Sequence, residues 1–313
     1  MKSIIVIIGP TAVGKSSLSV ELALKLKGEI ISGDSVQVYR KLNIGSAKPT
    51  PAEQKGVRHH LIDLLEPDEY FTAADFQAKA KDLITEIQAR GHVPIIVGGT
   101  GLYIRALLDG FTFPEEGSTA IKQKWLEFAR VNGQVALYNK LKQCDPLSAQ
   151  KLHPNDKARI IRALEVFEIT GMPLSAQRSY EEHKYPALDK SILYIGLTAP
   201  REIIYQRIDQ RCDDMVKYGI VQEVSALLKE GYSPKLKSLQ SIGYRHVILY
   251  LKGLLTWDEM LRLFKRDTRR FAKRQLTWFR RDPRIKWYDI IQNESDIIID
   301  KILQDYNRAC IVL

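Results

Sequence analysis

An apolar run that leads directly into a glycine-rich turn constrains the fold of this chain more than any other feature. Residues 4–8 are IIVII, and Gly9 to Ser16 follow as GPTAVGKS, which satisfies the pattern GxxxxGK[ST]. The run is short and β-branched, as is typical of a buried strand, and a helix is predicted from Ser16 to about Lys27. Backbone amides and a helix N-terminus in this setting form a cradle for phosphate. The pattern therefore predicts an α/β protein with a phosphorylated ligand.

Every residue of this loop is predicted to bind a diphosphate: Gly9, Pro10, Thr11, Ala12, Val13, Gly14, Lys15 and Ser16. Lys15 would add a mobile positive charge, and the Ser16 hydroxyl would hold Mg2+. A glycine-rich turn without a ligand is the alternative, and the strand and helix on either side argue against it. The loop does not identify its ligand, because ATP, GTP and a prenyl diphosphate present much the same group.

The strands that follow indicate how the loop is embedded. Strands are predicted at 29–32 and 93–97, with an amphipathic helix from Thr72 to Arg90 between them. Strands that alternate with helices in this way require a mostly parallel sheet covered on both faces. This first region is therefore predicted to begin a parallel α/β core.

A helical insertion is predicted to interrupt that core. From about residue 115 to residue 190 only helices are predicted, at 119–130, 134–142 and 156–170. Buried strands return at 190–197 and at 285–288. We therefore predict an α/β core formed by residues 1–114 and 191–313, with a helical domain inserted at 115–190.

Asp34 follows the second predicted strand, in the segment ISGDSVQVYR. The carboxyl ends of parallel strands meet at one edge of a sheet, so this carboxylate is expected to lie close to the phosphate loop. Three interpretations fit it: a general base, a group near a bound Mg2+, or an aspartate that only forms a turn with its own backbone.

The third predicted strand runs into GGTGLY, which brings Thr100 to the same edge. Glycines there would let the backbone approach a ligand closely, and the Thr100 hydroxyl would donate to a leaving oxygen. The alternative is a tight turn in which Thr100 serves as the N-cap of the next helix.

The positive charge of the chain is concentrated in one segment. Between Arg262 and Arg281, nine residues are Lys or Arg and one, Asp267, is acidic, which accounts for eight of the ten net positive charges. A helix here would place Arg269 and Lys273 on a polar face, and Trp278 and Phe279 are predicted in the core. The positive charges of this segment repel one another, which favours an RNA partner that neutralises them. The alternative is an ordinary solvated helix face.

The remaining composition excludes several classes of protein. No apolar run approaches the length of a membrane span, and no export signal is visible. The three cysteines form no CxxC pair, which fits a reducing cytoplasm. The pair His59–His60 is a poor metal site, because adjacent side chains in an extended segment point to opposite faces.

Six sequence blocks, in order, resemble the tRNA dimethylallyltransferase (tRNA isopentenyltransferase) family: GPTAVGKS, GDSVQVY, GSAKPT from Gly45, GGTGLY, HPNDKARIIRALEV from His153 and KRQLTWFRRD from Lys273. The resemblance implies a P-loop NTPase-like parallel sheet flanked by helices, with an all-helical inserted domain. It implies transfer of a dimethylallyl group from dimethylallyl diphosphate to N6 of adenosine 37 in tRNAs, with release of pyrophosphate. The zinc finger of eukaryotic members is not found in the sequence, which indicates the bacterial type.

The resemblance also assigns roles to residues. Asp34 matches the base, Thr100 the residue near the bridging oxygen, and Arg211 would help to neutralise pyrophosphate. The tRNA-binding residues implied by the resemblance, or for the last two predicted from the basic helix, are Asp34, Ser35, Val36, Gln37, Thr100, Ala158, Arg159, Ile160, Ile161, Arg162, Arg269 and Lys273. The alternative for the two arginines near residue 160 is pairing with Asp156 or Glu165 on a solvated helix face.

Other functions remain open on the sequence alone. They are an adenylate isopentenyltransferase acting on free nucleotides, a P-loop small-molecule kinase, and an RNA-binding protein that retains an inactive phosphate loop. The favoured interpretation is a cytoplasmic, monomeric enzyme without a membrane partner that uses Mg2+, dimethylallyl diphosphate and the anticodon stem-loop of tRNA. Whether ATP also binds the loop stays open.

Overall fold

The computed structural model describes residues 3–111, 118–177, 185, 187–189, 191–292 and 295–311. Its strands form one parallel sheet in the order β3-β2-β4-β1-β5-β6, which confirms the predicted parallel α/β architecture. The strands are β1 (Ile4–Ile8), β2 (Gly28–Gly33), β3 (His59–His60), β4 (Val93–Gly98), β5 (Ile192–Thr198) and β6 (Lys286–Asp289).

The helices cover the sheet and form a separate helical unit. In chain order they are α1 (Lys15–Leu26), α2 (Pro51–Gln54), α3 (Ala73–Ala89), α4 (Gly101–Asp109), α5 (Thr119–Cys144), α6 (Pro146–Lys151), α7 (Lys157–Thr170), α8 (Leu174–Gln177), α9 (Arg201–Lys217), α10 (Ile220–Lys229), α11 (Tyr244–Leu251), α12 (Trp257–Phe279) and α13 (Ser295–Ile311). Among the described residues, none of these helices combines the length and the apolar character needed to cross a membrane.

The chain divides into two compact units, one of residues 1–110 with 185–313 and one of residues 111–184. The first contains the sheet. Its core is built from strand residues such as Ile5, Ile7 and Ile95, which are fully buried because helices cover both faces of a parallel sheet.

The second unit is all-helical within its described part. Gly133 has φ 83° and interrupts α5, so this element is two helical segments, as the separate predictions at 119–130 and 134–142 indicate. The buried carboxylate of Asp145 accepts hydrogen bonds from the backbone amides and hydroxyls of Ser148 and Ser175, which joins the start of α6 to α8.

The strand register places the loops that carry the sequence motifs side by side. Gly98 at the end of β4 pairs with Ile8 at the end of β1 and with Gly33 at the end of β2. All three strands run in the same direction, so the segments that follow them leave the sheet at its carboxyl edge. Sequence reasoning missed β3, because a strand of two residues carries no periodic signal.

A buried carboxylate joins three elements at the opposite edge of the sheet. Glu29 near the start of β2 is 4% exposed and accepts hydrogen bonds from Arg90 at 2.9 and 3.1 Å. His60 Nε2 and His92 Nδ1 lie 2.6 and 2.8 Å from its oxygens. Although burial opposes the charge, these hydrogen bonds lower the pKa of Glu29 to about 2. His60 thus serves the fold through its hydrogen bond with Glu29.

We expect Glu29→Gln to lower the free energy of unfolding by about 2 kcal/mol at pH 7, because it removes the buried carboxylate that holds one buried and two partly exposed donors. The folded-state pKa of Glu29 lies below the unfolded one, so its stabilisation is present above about pH 4.5 and is lost as pH falls toward 2. Urea denaturation of both proteins across this range measures the difference, which should narrow on acidification.

The matched control for this change is Glu86→Gln, which removes an exposed partner of the same Arg90 at 3.8 Å. It should change stability by less than about 1 kcal/mol. Equal effects of the two substitutions would contradict a central role for Glu29.

Candidate active site

A cavity of about 670 Å3, including its open mouth, lies at the carboxyl edge of the sheet. The loops after β1, β2 and β4 line it, and α9 and α12 close it from the other side. Its polar lining includes Thr11, Lys15, Ser16, Asp34, Gln37 and Arg211. The structure thus brings together the predicted phosphate loop, the predicted base and the predicted pyrophosphate-neutralising arginine.

The phosphate loop is shaped by residues with unusual backbone angles. Gly14 has φ 94° at the N-cap of α1, and Gly9 has φ 152° with its Cα so close to β5 that a Cβ would lie 2.6 Å from the Leu197 carbonyl oxygen. The Lys15 ammonium donates to the carbonyl oxygens of Gly9 and Pro10 at 3.0 and 2.7 Å. The loop therefore curves around the Lys15 side chain, which holds its backbone through these two hydrogen bonds.

Two cations share the cavity. Burial and, to a smaller extent, the nearby Arg211 lower the pKa of Lys15 to about 7, although Asp34 acts in the opposite direction. Burial also lowers the pKa of Arg211, again opposed by Asp34. Within the described part of the chain, Arg211 has neither a hydrogen bond nor an ion pair. Two poorly solvated cations facing one space favour a ligand with more than one negative charge.

Asp34 combines two of the roles left open by the sequence. Its Oδ1 accepts from the backbone amides of Val36 and Gln37 at 2.8 and 3.3 Å, which is the turn expected of an aspartate here. Its Oδ2 accepts no hydrogen bond from the described residues, and the side chain lines the cavity. One oxygen holds the loop, while the other is available to a ligand.

Thr100 occupies the N-cap position of α4, but its hydroxyl does not cap the helix. Its Oγ1 instead accepts from the Ser35 backbone amide at 3.2 Å and lies 3.4 Å from the Ser35 hydroxyl. Thr100 therefore stands at the N-cap position, as the alternative interpretation predicts, but its side chain does not cap the helix. The hydroxyl joins the loop after β4 to the loop that carries Asp34.

Gln37, predicted to grip a base, is engaged within the protein. Its Oε1 accepts from the Ser32 hydroxyl at 3.0 Å, and its Nε2 donates to the carbonyl oxygens of Ser46 and Ala47 at 3.4 and 3.2 Å. Its amide thus fixes the segment that contains GSAKPT against β2. A contact with a base through this amide would require these hydrogen bonds to be exchanged.

Glu223 on α10 is a positioning residue that sequence reasoning missed. It accepts from the backbone amides of Asn43, Ile44 and Gly45 at 2.8 to 3.3 Å and from the Tyr244 hydroxyl at 2.6 Å. One carboxylate thereby holds three consecutive amides of the loop that supplies Ser46 to the cavity. A lone glutamate in an amphipathic helix gave no signal of this role.

The glycines at the end of β4 serve packing within the protein and also line the cavity, so the approach of a ligand to this backbone stays a prediction. A Cβ on Gly98 would lie 2.3 Å from the Gly33 carbonyl oxygen of β2. A Cβ on Gly99 would lie 2.1 Å from the Gln275 amide nitrogen on α12. The close neighbours of these two positions are the adjacent strand and a helix.

Helix α12 carries the basic segment, and part of its charge is neutralised internally. Arg269 pairs with Asp209 at 2.6 Å and Lys265 with Asp213 at 2.6 Å, both acids lying on α9. The predicted RNA contact through Arg269 thus competes with an existing ion pair. The last two turns of α12 and the two residues that follow the helix differ, because their basic residues are exposed and have no acidic partner within the described residues. These are Lys273, Arg274, Arg280 and Arg281.

The two aromatic residues at the end of α12 have different environments. Phe279 is 1% exposed, as expected of a core residue. Trp278 is 38% exposed, so its assignment to the core was wrong. Its ring covers the backbone of Gly101, where a Cβ would lie 2.3 Å from the indole.

In the helical unit, the predicted RNA segment from Ala158 to Arg162 lies on α7 and is only partly at the surface. Ile160 and Ile161 are 0% and 4% exposed and belong to the core of this unit, so their side chains cannot be RNA contacts. Ala158 and Arg159 are exposed. The internal pairs left open by the sequence are formed, Arg159–Asp156 at 3.3 Å and Arg162–Glu165 at 2.9 Å.

The donor atoms around the loop fit a magnesium ion held mainly by a ligand. The Ser16 hydroxyl lines the cavity together with the Asp34 carboxylate, and both offer the oxygen atoms that Mg2+ prefers. No group of three or more His, Cys, Asp or Glu suited to a metal occurs among the described residues. A diphosphate would therefore supply most of the coordination.

The chain is similar to known proteins over most of its length. A family model described as IPP transferase matches residues 37–282. A tRNA dimethylallyltransferase of Desulfitobacterium hafniense (strain Y51) is 60% identical over 303 residues, which cover 97% of this chain and 96% of that protein.

Two solved structures are also similar over nearly the whole chain. A tRNA isopentenylpyrophosphate transferase from Bacillus halodurans has 40% identity and a TM-score of 0.72, covering 100% of this chain and 99% of its own. A eukaryotic dimethylallyltransferase acting on tRNA has 31% identity and a TM-score of 0.80, covering 96% of this chain and 78% of its own.

We expect diphosphate binding to be coupled to proton uptake by Lys15. With a pKa of about 7, the Lys15 side chain of the unliganded protein is largely a neutral amine at pH 8, and a bound polyanion raises that pKa. Binding of Mg2+-pyrophosphate at pH 8 should therefore take up about 0.9 proton through this group, and affinity should fall as pH rises above 7. Calorimetry in buffers of different ionisation enthalpy measures the uptake.

Lys15→Arg is the control for this experiment, because its side chain stays charged throughout the pH range. Protons exchanged by pyrophosphate itself contribute equally to both proteins. An uptake that does not differ between wild type and Lys15→Arg would contradict the lowered pKa of Lys15.

Proposed function

Because the chain belongs to the IPP transferase family, we propose that it transfers a dimethylallyl group from dimethylallyl diphosphate to N6 of adenosine 37 in tRNA and releases pyrophosphate. The family resemblance seen in six sequence blocks is confirmed, and the sheet with its flanking helices has the P-loop NTPase-like fold of these transferases. The observation that carries the proposal is the convergence of Lys15, Arg211 and Asp34 on one cavity.

The diphosphate end of the donor is assigned to the phosphate loop. Loop amides, the N-terminus of α1 and the Lys15 ammonium would hold its oxygens, with Arg211 on the opposite wall. As the allylic C–O bond breaks, negative charge grows on the bridging oxygen and is passed to pyrophosphate. Lys15 and Arg211 stabilise this charge more strongly than water would, because their surroundings are poorly solvated. The Thr100 hydroxyl is the donor proposed for the bridging oxygen.

Asp34 is assigned to the adenine. The exocyclic amine is a poor nucleophile, since its lone pair is delocalised into the ring, and its proton must leave as the new N–C bond forms. The free Oδ2 of Asp34 would accept that proton, while Oδ1 keeps the carboxylate oriented through the amides of Val36 and Gln37. The products are the N6-dimethylallyl adenosine, pyrophosphate and a protonated base.

A magnesium ion is proposed as the cofactor. Bound to the diphosphate and the Ser16 hydroxyl, it would supply further positive charge for the leaving group. The remaining site residues act without it: the loop orients the donor, Arg211 neutralises its charge, and Asp34 receives the proton. The lining of Val97 and Phe271 gives the cavity apolar surface that excludes water from the allylic carbon.

The RNA substrate is assigned to the basic surface of α12. The target base is stacked within an anticodon loop and must be extruded to reach the cavity, so the enzyme has to hold the surrounding backbone. Exposed cations without an acidic partner within the described residues are available for this purpose at Lys273, Arg274, Arg280 and Arg281. On the helical unit, RNA contacts are proposed for the exposed residues Ala158 and Arg159. We place this reaction in the cytoplasm and assign it to a monomer.

We expect Asp34→Asn to lower the rate of transfer by roughly 10^3-fold, because the amide keeps the turn but cannot accept the N6 proton. Stem-loop RNA affinity should remain within about threefold. The measurement is mass spectrometry of nucleosides from anticodon stem-loop RNA incubated with dimethylallyl diphosphate and Mg2+.

The same assay separates the alternative functions. AMP in place of the RNA tests an adenylate isopentenyltransferase, and labelled ATP without a prenyl donor tests a kinase. Modification of AMP as efficient as that of the RNA, or phosphate transfer from ATP, would overturn the proposed substrate. Full activity of Asp34→Asn would overturn the assignment of the base.

We expect the pair of substitutions Lys273→Ala and Arg274→Ala to weaken stem-loop binding and to flatten its salt dependence. Each lost phosphate contact removes about 0.7 to 0.9 from the slope of log affinity against log salt. Titrations between 50 and 200 mM salt, roughly the range in which such contacts dominate, measure the slope.

Lys265→Gln on the same helix is the matched control, since this lysine already pairs with Asp213. Like each of the two alanine substitutions, it removes one positive charge, but it should leave the slope of log affinity against log salt nearly unchanged. An equal loss of slope in the control would show a diffuse charge effect and would contradict a local RNA contact.

A further inference from the structure

Gln275 is the one residue whose side chain bridges the phosphate loop and the β4–α4 turn within the described residues. Its Oε1 accepts from the Thr11 backbone amide at 2.9 Å, and its Nε2 donates to the Gly99 carbonyl oxygen at 3.0 Å. Both ends of the amide are therefore used, and the residue is 6% exposed. Its place in an amphipathic pattern gave no indication of this contact.

The surrounding backbone is shaped to admit this amide. A side chain on Gly99 would meet Gln275 at 2.1 Å, so glycine is required there for the amide to reach the turn. Two neighbours on α12 contact the same region: Trp278 lies on Gly101, and Phe271 lines the cavity. One face of α12 thus serves as a wall of the site.

The bridge also determines which loop amide is available to a ligand. The Thr11 N–H is directed to Gln275 in this structure, so the cradle for phosphate consists of the remaining amides and Lys15. Gly99 precedes Thr100, so the second hydrogen bond fixes the backbone next to the hydroxyl proposed for the bridging oxygen. The two hydrogen bonds thus hold the phosphate loop and the Thr100 turn, the two segments that are proposed to bind one donor molecule.

From this geometry we infer that Gln275 is a positioning residue, which sets the distance between the diphosphate-binding loop and the Thr100 turn and ties both to the RNA-facing helix α12. The inference rests on the proposed function. It assigns Gln275 no contact with the reacting atoms. Its effect comes from alignment, and misplacement of reacting groups by about 1 Å can cost on the order of 100-fold in rate.

The connection to RNA follows from the position of Gln275 on the helix. Lys273 and Arg274 directly precede it and are exposed, so a single rigid element carries the cations proposed for RNA on one face and the bridging amide on the other. RNA held by α12 is thereby placed relative to the donor loop through two hydrogen bonds.

The test compares Gln275→Met with wild type in single-turnover transfer at saturating donor and stem-loop RNA. Methionine keeps the length and volume but makes neither hydrogen bond. We expect the rate constant to fall at least tenfold while the RNA dissociation constant stays within twofold, because the exposed cations are retained. Thr268→Val on the same helix is the control: it removes hydrogen bonds to the Phe264 carbonyl and from the Cys212 thiol, neither of which reaches the two loops, and should leave both quantities within twofold.

A second variant, Gln275→Glu, keeps the inference testable if the methionine protein is poorly folded. A protonated carboxyl can accept from Thr11 and donate to Gly99, whereas a carboxylate cannot donate and also repels the diphosphate. The ratio of its rate to that of wild type should rise at least fivefold as pH falls from 8 to 6. The charged and titratable groups that line the cavity, which are Lys15, Arg211, Asp34 and His59, are present in both proteins and contribute to both rates.

The outcomes distinguish failure of the proposed function from failure of the positioning role. An inactive wild type would refute the proposed function itself. An active wild type with a Gln275→Met rate within twofold, or with RNA affinity lost in proportion to rate, would overturn the positioning role. A ratio for Gln275→Glu that is flat with pH would overturn the hydrogen bond to Gly99 as its basis.

Discussion

The hydrogen-bonded register of β4 between β1 and β2 is the constraint on which the site depends. Gly98 pairs with both Ile8 and Gly33, so three strands end at one level and their loops begin within reach of one another. The absence of a side chain at Gly98 allows the Gly33 carbonyl to approach to a distance that any other residue would forbid. Phosphate loop, carboxylate and hydroxyl are then brought together by the sheet, before any side-chain contact forms.

The second layer of organisation consists of polar side chains that hold loops. Glu223 binds three consecutive amides, Gln37 binds the carbonyls that follow them, and Gln275 joins two loops from a distant helix. Loops that line a cavity cannot satisfy their backbone groups through sheet pairing, so polar side chains do so here. Arg211, by contrast, has no hydrogen bond or ion pair in the described part of the chain, and this cation distinguishes the binding cavity from an ordinary polar interior.

Sequence patterns predicted the elements that carry local signals. The strand before the phosphate loop, the helices from Thr72 and at 156–170, and the break in α5 at Gly133 each follow from periodicity, capping or glycine, and the structure has them within one or two residues. Long-range side-chain contacts were beyond such patterns: Gln275 occupied a core position of an amphipathic helix, and nothing local pointed to Thr11 or Gly99. Ile160 and Ile161 show the converse, since a motif that matches the family includes residues whose side chains are buried in the core.

The ion pairs between α9 and α12 give the basic helix a charge gradient. Asp209 and Asp213 neutralise Arg269 and Lys265 in its middle, while the end near Trp278 keeps its charge bare. Repulsion between the basic side chains of α12 is relieved where the helix packs against α9. The repulsion remains only where solvent and counterions can screen it. The positive electrostatic potential along α12 therefore increases toward the C-terminal end of the helix. This gradient orients an approaching polyanion before it makes contact with the protein.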